Sequence, residues 1–367
     1  TSPSQDTHPF PRRACSPMLT PQLRVNANGQ FDLAAICSEG ALPDRSDSLT
    51  LAKSHGVCGD LELCLSEPIG PDAASEAVLE IVRSTRCWVG PFELSADTER
   101  FVVDWLDKGA HVVLLTFPKH GAAAAVEIMS HLPRSRVALV AQWAEGTSAQ
   151  DAMAKAAQPI TVENKRPSDL AAYAVLRVGL VASKQGAAMG AAAGAEALRD
   201  EAKDCGRTLK MAIRIAFENA PPSLADVGAL HTAGIAAHAT VALAARAGKP
   251  VFTEGPATVA SGLVACSRTD RSDGLLTTVV VDERGVCLGL VYSSAESVQE
   301  SVRSGRGVYY SRSRSSLWRK GDTSGAWQGL LQASVDCDSD ALRFVVTQHG
   351  EPPAFCHLGT RTCWGEA

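Results

Sequence analysis

Residues 87–117, CWVGPFELSADTERFVVDWLDKGAHVVLLTF, decide the fold of the first two-thirds of the chain. The short apolar runs Cys87–Phe92 and His111–Phe117 predict two strands. Between them, apolar residues recur at helical spacing from Phe101 to Leu106, so residues 97–108 are predicted to form a helix that stops at Gly109. This stretch therefore reads as one strand–helix–strand unit.

The same unit repeats between Ala52 and Pro256. Gly121–Leu132 and Arg136–Trp143 continue it. Further segments of the pattern are Ile160–Val162 and Leu209–Phe217, with helices predicted at Ser168–Ala182, Gly186–Lys203 and Ser223–Ala247. Repeated strand and helix units are typical of an α/β fold, either a layer or a partial barrel. We predict that residues 31–262 form an α/β domain, which could be barrel-like, and that residues 1–30 form a flexible tail.

The pattern changes after Gly262. Leu275–Val281 and Val286–Tyr292 are β-branched runs that predict a hairpin. A short helix is predicted at Ser294–Ser304, followed by strands at Val308–Arg314, Gly329–Val335 and Leu342–Gln348. Residues 263–367 are therefore predicted to form a second, mainly β domain of the α+β class.

Composition excludes some partners. The net charge of -5 disfavours nucleic acid and anionic membranes as main partners, and no apolar stretch suits a membrane span. The 11 cysteines are odd in number and irregularly spaced, which favours reduced thiols, some holding metal, in the cytoplasm. The Pro-, Ser- and Arg-containing start of the chain fits an organelle transit peptide as well as a disordered tail.

The densest group of chemically active residues begins with Asp336, Asp338 and Asp340. If the preceding strand continued here, the three carboxylates would share one side and Cys337 would lie on the other. Neighbouring carboxylates repel one another unless a cation neutralises them, and oxygen ligands favour Mg²⁺ or Ca²⁺. An EF-hand loop is excluded, because it would need Gly at Ala341 and Glu at Thr347.

Three thiols form the second part of the group. Cys337, Cys356 and Cys363 are a ligand set for Zn²⁺ that leaves a position for water. Zinc lowers the pKa of such a water to roughly 7, and His357 could carry its proton. The competing interpretation, three small buried hydrophobes in a reducing cell, is made less attractive by the neighbouring aspartates and histidine.

A basic, hydroxyl-rich segment lies between two predicted strands. Its cations and Gly turns suit phosphate, and its aromatic rings suit a stacked purine. The alternative is a solvated basic loop. The candidate substrate-binding residues are Tyr310, Arg312, Ser313, Arg314, Trp318, Lys320, Thr323 and Ser324.

Several of these motifs together resemble phosphoribosyl-AMP cyclohydrolase. The motifs are GVYYSRSR at 307–314, LWRKGDTSG at 317–325, DCDSDA at 336–341, Cys356–His357 and Cys363. The resemblance covers Arg268–Glu366. RTDR at 268–271 and LGLVYSS at 288–294 are similar to the fungal form, the front part of a trifunctional histidine-biosynthesis protein. Asp322 stands where the family more often has Glu.

The resemblance implies a function for each motif. The reaction would be hydrolytic opening of the purine ring of phosphoribosyl-AMP between nitrogen 1 and carbon 6, a step of histidine biosynthesis. Cys337, Cys356 and Cys363 would bind Zn²⁺, the three aspartates Mg²⁺, and His357 would be the acid–base group. A homodimer is implied, with Cys337 of one chain meeting the other two cysteines of its partner. The alternative is a nucleotide-binding or assembly protein with structural zinc and lapsed catalysis.

The front domain offers only weak candidates. Cys58, Cys64, Cys87, His231 and His238 are singled out by residue type alone, and a core or surface role is favoured for each. The glycines at 186, 190 and 194 have helix-packing spacing. A structural or dimer-supporting role is expected, with a barrel related to the isomerase of the same pathway as an analogy of pattern.

Overall fold

A computed structural model describes residues 19–32, 48–117, 122–144, 147–154, 166–178, 193–218, 221–242 and 257–365. Eight parallel strands in the first part close into a barrel in which each strand pairs with the next and the last pairs with the first. The strands are β1 (Leu19–Val25), β2 (Asp60–Leu65), β3 (Arg86–Glu93), β4 (Val112–Thr116), β5 (Val137–Trp143), β6 (Tyr173–Val178), β7 (Ala212–Phe217) and β8 (Ala236–Ala239). The α/β class predicted for this part is confirmed, and of the two forms left open the barrel is correct.

Helices follow the strands around the barrel. They are α1 (Ser48–His55), α2 (Glu76–Ser84), α3 (Ala96–Asp107), α4 (Ala122–Ser130), α5 (Ala149–Ala152), α6 (Ala193–Leu209) and α7 (Leu224–Thr232). Helix α3 shows why the sequence specifies them. Ser95 caps its first turn in a reciprocal box with Thr98, and Val102 and Trp105 are fully buried. The helix ends at Asp107, and Gly109 follows with a φ of +113°, which is open to glycine and strained for other residues.

The barrel interior contains both apolar and ionisable side chains. Trp88, Val112, Leu114, Val140 and Val175 belong to an apolar cluster. Ionisable side chains from β2, β6, β7 and β8 pack against it, with Arg214 lying over the ring of Trp88. Barrels of this kind usually have cores of branched apolar residues, so the charged side chains depart from the common pattern.

The second domain is a four-stranded sheet covered on one face by two helices. Helix α8 (Val259–Ala265) precedes the sheet in the chain. Helix α9 (Ala295–Ser304) follows the second strand of the sheet in sequence. The strand order is β10–β9–β14–β13, with β9 (Leu276–Asp282), β10 (Cys287–Ser293), β13 (Gln328–Val335) and β14 (Ala341–Gln348). A separate two-stranded ribbon pairs β11 (Val308–Ser311) with β12 (Ser316–Arg319). The predicted mainly β class is confirmed.

The two domains pack through one end of the barrel. Gly59, just before β2, lies against Gln332 of β13, and α7, which precedes β8, reaches the loop after β13. These segments lead into the amino ends of their strands. The second domain therefore covers the amino-terminal end of the barrel, opposite the end where barrel enzymes keep their active sites.

Four predictions about local structure are wrong. Part of the predicted tail, residues 19–25, is the barrel strand β1. The predicted helix Ser168–Ala182 contains strand β6, and the predicted helix Ser223–Ala247 is helix α7 followed by strand β8. The predicted strand Val308–Arg314 ends at Ser311, where the ribbon turns. Ile160–Val162, Gly186 and Gly190 lie outside the described residues, and the predicted boundary at residue 262 falls inside α8.

Every helix in the described residues is too short or too polar to cross a lipid bilayer.

Candidate functional site

The loop between β13 and β14 carries the acidic group. Strand β13 ends at Val335, so the strand that would have placed the aspartates on alternate sides does not continue. Instead, a tight turn is closed by Asp336, whose backbone N–H donates to Ala341 O (3.0 Å) and whose carboxylate accepts from Ala341 N (3.1 Å). Ser339 occupies this turn with a φ of +73°, a conformation that costs free energy for a residue with a side chain.

The turn brings the three carboxylates together. One oxygen each from Asp336, Asp338 and Asp340 lies within 4.8 Å of the others. Repulsion from Asp338, followed by burial and repulsion from Asp336, raises the pKa of Asp340. A site whose own anions repel each other in this way is stabilised by a cation, and hard oxygen donors fit Mg²⁺. The residues present therefore fit the expected ion.

A cavity of about 350 Å³ opens beside this loop, between the two domains. Asp336, Cys337 and Asp338 line one side. The other side comes from the end of α7, at His231 and Thr232, and from the segment after α8, at Arg268. The guanidinium of Arg268 lies 3.4 Å from Asp338 and 3.9 Å from Asp340.

Two of the three predicted zinc ligands lie together at a different place. Cys356 and Cys363 both belong to the chain after β14, where Cys363 N donates to Leu288 O (2.8 Å). Backbone N–H groups, that of Leu358 first, lower the pKa of the Cys356 thiol, whereas burial and the neighbouring Cys356 raise that of Cys363. The Cys356 sulfur is 3.8 Å from Nδ1 of His357, whose side chain is exposed.

Close packing fixes the position of Cys363. A Cβ added at Gly289 on β10 would come within 2.8 Å of the Cys363 sulfur and would also collide with the ring of Phe355. Real carbon atoms do not approach this closely. Only glycine at this position leaves room for the thiol.

Cys337 lies apart from the other two cysteines of its own chain. In the described residues, the three aspartates are the only group of three or more potential metal ligands found this close together. Cys337 follows β13 at the end of the sheet where Ala341 pairs with Thr277, whereas Cys363 is anchored near Gly289, which pairs with Val280. Three residues of strand span about 10 Å, far more than the roughly 2.3 Å of a zinc–sulfur bond. One chain folded this way does not bring the three thiols to one ion.

The predicted substrate-binding residues lie on and beside the ribbon β11–β12. Arg312, Ser313 and Arg314 form the exposed turn, where Arg312 stacks on Tyr292 with its Cζ 4.0 Å from the ring centroid. Trp318 packs against Tyr309 at 5.8 Å, and Tyr310 is half-buried on β11. Thr323 and Ser324 are exposed in the turn that follows.

Lys320 differs from its neighbours because it is buried. Its ammonium donates to Ala326 O (3.0 Å), and burial lowers its pKa, opposed by the charges of Cys356 and Cys363. The chain thus places a cation near the thiol pair. The predicted residues therefore divide into an exposed basic turn and a buried lysine near the two thiols.

The ionisable side chains inside the barrel form a second polar site. Glu62 is fully buried and accepts from His238 Nδ1 (2.6 Å), Arg177 (3.2 Å) and Gln22 (3.0 Å). Nε2 of His238 lies 3.3 Å from Arg214, and burial lowers the pKa of His238. The sequence singled out His238 alone. The other charged residues carry a recognisable signal, since they interrupt apolar strands such as DLELCL and YAVLRV.

Comparison with known proteins identifies the second domain. Residues 289–365 match the family model of phosphoribosyl-AMP cyclohydrolase. The resemblance to this family, and to its fungal form, is confirmed. The cyclohydrolase match covers the sheet strand β10, the ribbon, the acidic loop and the thiol pair.

Curated relatives agree with the family match. The histidine biosynthesis trifunctional protein of Saccharomyces bayanus is 62% identical over 104 residues, 28% of this chain and 13% of that protein. The histidine biosynthesis bifunctional protein of Schizosaccharomyces pombe is 52% identical over 119 residues, 32% of this chain and 28% of that protein. The phosphoribosyl-AMP cyclohydrolase of Gluconobacter oxydans is 42% identical over 93 residues, 25% of this chain and 58% of that protein. The matched segment thus spans less than two-thirds of each of these relatives.

Proposed function

We propose that this chain hydrolyses the bond between nitrogen 1 and carbon 6 of the purine in phosphoribosyl-AMP, a step of L-histidine biosynthesis. The observation that carries the proposal is the meeting of three carboxylates with the thiol of Cys337 in one loop of a segment that matches the cyclohydrolase family. All nine described cysteines are free thiols, which suits a reducing compartment, and we propose the cytoplasm.

Zinc would be held by Cys337, Cys356 and Cys363. When bound, it supplies a water whose pKa is lowered to roughly 7, so that a nucleophile exists at neutral pH. The residues of the chain would hold the thiols in position and set their charge. Backbone N–H groups around Cys356 favour its thiolate, and Lys320 adds a positive charge near the pair.

A homodimer is the way to complete this ligand set. The distance between Cys337 and Cys363 in one chain supports a site in which each chain gives Cys337 to its partner. The open face of the sheet supports the same conclusion. Val279, Val281 and Val345 are half-buried on it, and Leu290, which pairs with Val279, is 50% exposed. A second copy covering this face would remove apolar surface from water.

The remaining residues would bind and orient the substrate. Arg312 and Arg314 in the exposed turn offer charge-assisted hydrogen bonds to a phosphate, and Ser313 and Ser324 offer hydroxyls. Trp318 and Tyr310 offer aromatic faces to the purine. His357, which lies beside Cys356 and is exposed to solvent, would accept a proton from the attacking water and return it to nitrogen 1. The aspartates would hold Mg²⁺ near the substrate phosphates.

The test is the ultraviolet absorbance change that accompanies opening of the purine ring. The purified full chain, loaded with Zn²⁺ and Mg²⁺, should convert phosphoribosyl-AMP, lose activity with a zinc chelator and recover it when Zn²⁺ is restored. Cys363→Ser should abolish turnover, whereas Cys205→Ser, the same change in the barrel near Ala149 O, should retain it. A zinc-loaded dimer that binds the substrate without opening the ring would contradict the proposal and favour a nucleotide-binding protein with structural zinc.

A further inference from the structure

We propose that the barrel domain completes the cation site of the cyclohydrolase domain. His231 at the end of α7, from the barrel, would hold the Asp336–Asp340 loop in its cation-binding shape, together with Arg268 from the start of the second domain. The inference rests on the proposed function, because it assigns a positioning role in that same site. It gives the front domain a task that its own sequence does not reveal.

The contacts converge on Ser339, the most constrained residue of the loop. Its hydroxyl lies 3.0 Å from Nε2 of His231, and its carbonyl accepts from the backbone N–H of Arg268 at 2.7 Å. Ser339 has a positive φ, which side chains disfavour. Two contacts from outside the loop therefore hold a conformation that the loop alone would not prefer.

The side chain of Arg268 also contacts this loop. Its Nε donates to the backbone carbonyl of Asp338 (2.8 Å), and its guanidinium lies close to two of the three carboxylates. The positive charge of the guanidinium reduces the repulsion among the carboxylates. Arg268 therefore keeps three like charges together before a divalent cation arrives.

His231 and Arg268 lie where the two domains meet, so their loss should affect the Asp336–Asp340 loop and little else. His231 and Arg268 line the same cavity as Asp336, Cys337 and Asp338. The same loop that presents the carboxylates also presents Cys337. A loop released from His231 would lose the arrangement of its cation ligands while the sheet and the barrel remain folded.

The test is Mn²⁺ binding, with Mn²⁺ as a paramagnetic stand-in for Mg²⁺, measured by electron paramagnetic resonance on the zinc-loaded full chain. His231→Ala should weaken Mn²⁺ binding about fivefold, the effect of one neutral hydrogen bond. His231→Gln, which keeps a polar nitrogen or oxygen within reach of Ser339, should restore most of the affinity. His131→Ala, an exposed histidine at the end of α4, is the matched control and should bind as the unchanged chain does.

A double-mutant cycle separates positioning from general destabilisation. Ser339→Ala removes the other half of the same contact, so adding His231→Ala to it should weaken Mn²⁺ binding no further. Additive losses, or a His231→Ala chain with unchanged affinity, would overturn the inference while leaving ring opening by the unchanged chain intact. A chain that opens the ring but binds no Mn²⁺ would also overturn it. A chain that binds Mn²⁺ with these differences but opens no ring would contradict only the proposed reaction.

Discussion

Mixed dimers offer the sharpest prediction, because the fold separates Cys337 from Cys356 and Cys363 within one chain. If the zinc site is shared, Cys337→Ser and Cys363→Ser each damage both sites of their own homodimer. A heterodimer of the two variants behaves differently. One of its sites combines both damaged ligands, and the other combines the intact Cys337 of one chain with the intact pair of its partner.

The expected recovery follows from counting. Random pairing of equal amounts makes about half of the dimers mixed, and each mixed dimer carries one intact site of two. Co-expressed variants should therefore show about a quarter of the unchanged activity, whereas each variant alone shows almost none. The assay is the ultraviolet change on ring opening, with the subunit ratio checked by mass spectrometry.

The matched control uses two variants from the same half of the site. Cys356→Ser co-expressed with Cys363→Ser leaves every site without a ligand, so no activity should return. Absence of recovery for Cys337→Ser with Cys363→Ser, in preparations that contain mixed dimers, would refute the shared site. Recovery in both mixtures would show that at least one of these thiols is not a ligand.

Other predictions concern the barrel and the open sheet face. Glu62→Gln should lower the free energy of unfolding by about 3 kcal/mol, because it leaves the largely buried guanidinium of Arg177 without its opposite charge. Glu80→Gln should cost less than about 1 kcal/mol, because its pair with Lys53 is exposed; urea denaturation followed by tryptophan fluorescence checks both. Burial raises the pKa of Glu62. The hydrogen bond and charge of His238 and the charge of Arg177 outweigh this effect and hold the pKa at about 2, below its unfolded value of 4.5. The stabilisation from Glu62 is therefore present above about pH 4.5 and lost as the pH falls toward 2, so the difference between the unchanged chain and Glu62→Gln should shrink over that window. Leu290→Glu should favour monomers in analytical ultracentrifugation and reduce turnover in parallel; a fully active monomer would contradict the dimer.

The strand–helix units that the sequence predicted well are those with a clear periodicity. Residues 87–117 form strand β3, helix α3 and strand β4 because the apolar spacing changes from strand to helix and back. Strand β6 was mistaken for a helix because the run AAYAVLRV is apolar on both faces, as barrel strands are, and gives no alternation. The alanine-rich run after α7 gives no alternation either, so the pattern does not distinguish strand β8, AAHA, from a continued helix.

The candidate site shows a similar division. The nearness of Asp336, Asp338 and Asp340 followed from their spacing, although a turn and not a strand brings them together. The contribution of His231 depends on packing between the two domains. His231 is 108 residues from Ser339 in the sequence, and no local pattern predicts such a contact.

The tight fit at Gly289 gives a practical marker for this group of proteins. Gly289 carries only a hydrogen atom where other residues carry a Cβ, and a Cβ there would displace the sulfur of Cys363. A related chain that keeps all three cysteines but carries alanine there would look intact in a motif search, and we expect it to hold the proposed zinc poorly. Position 289 should thus be read together with the thiols when relatives are sorted into active and inactive forms.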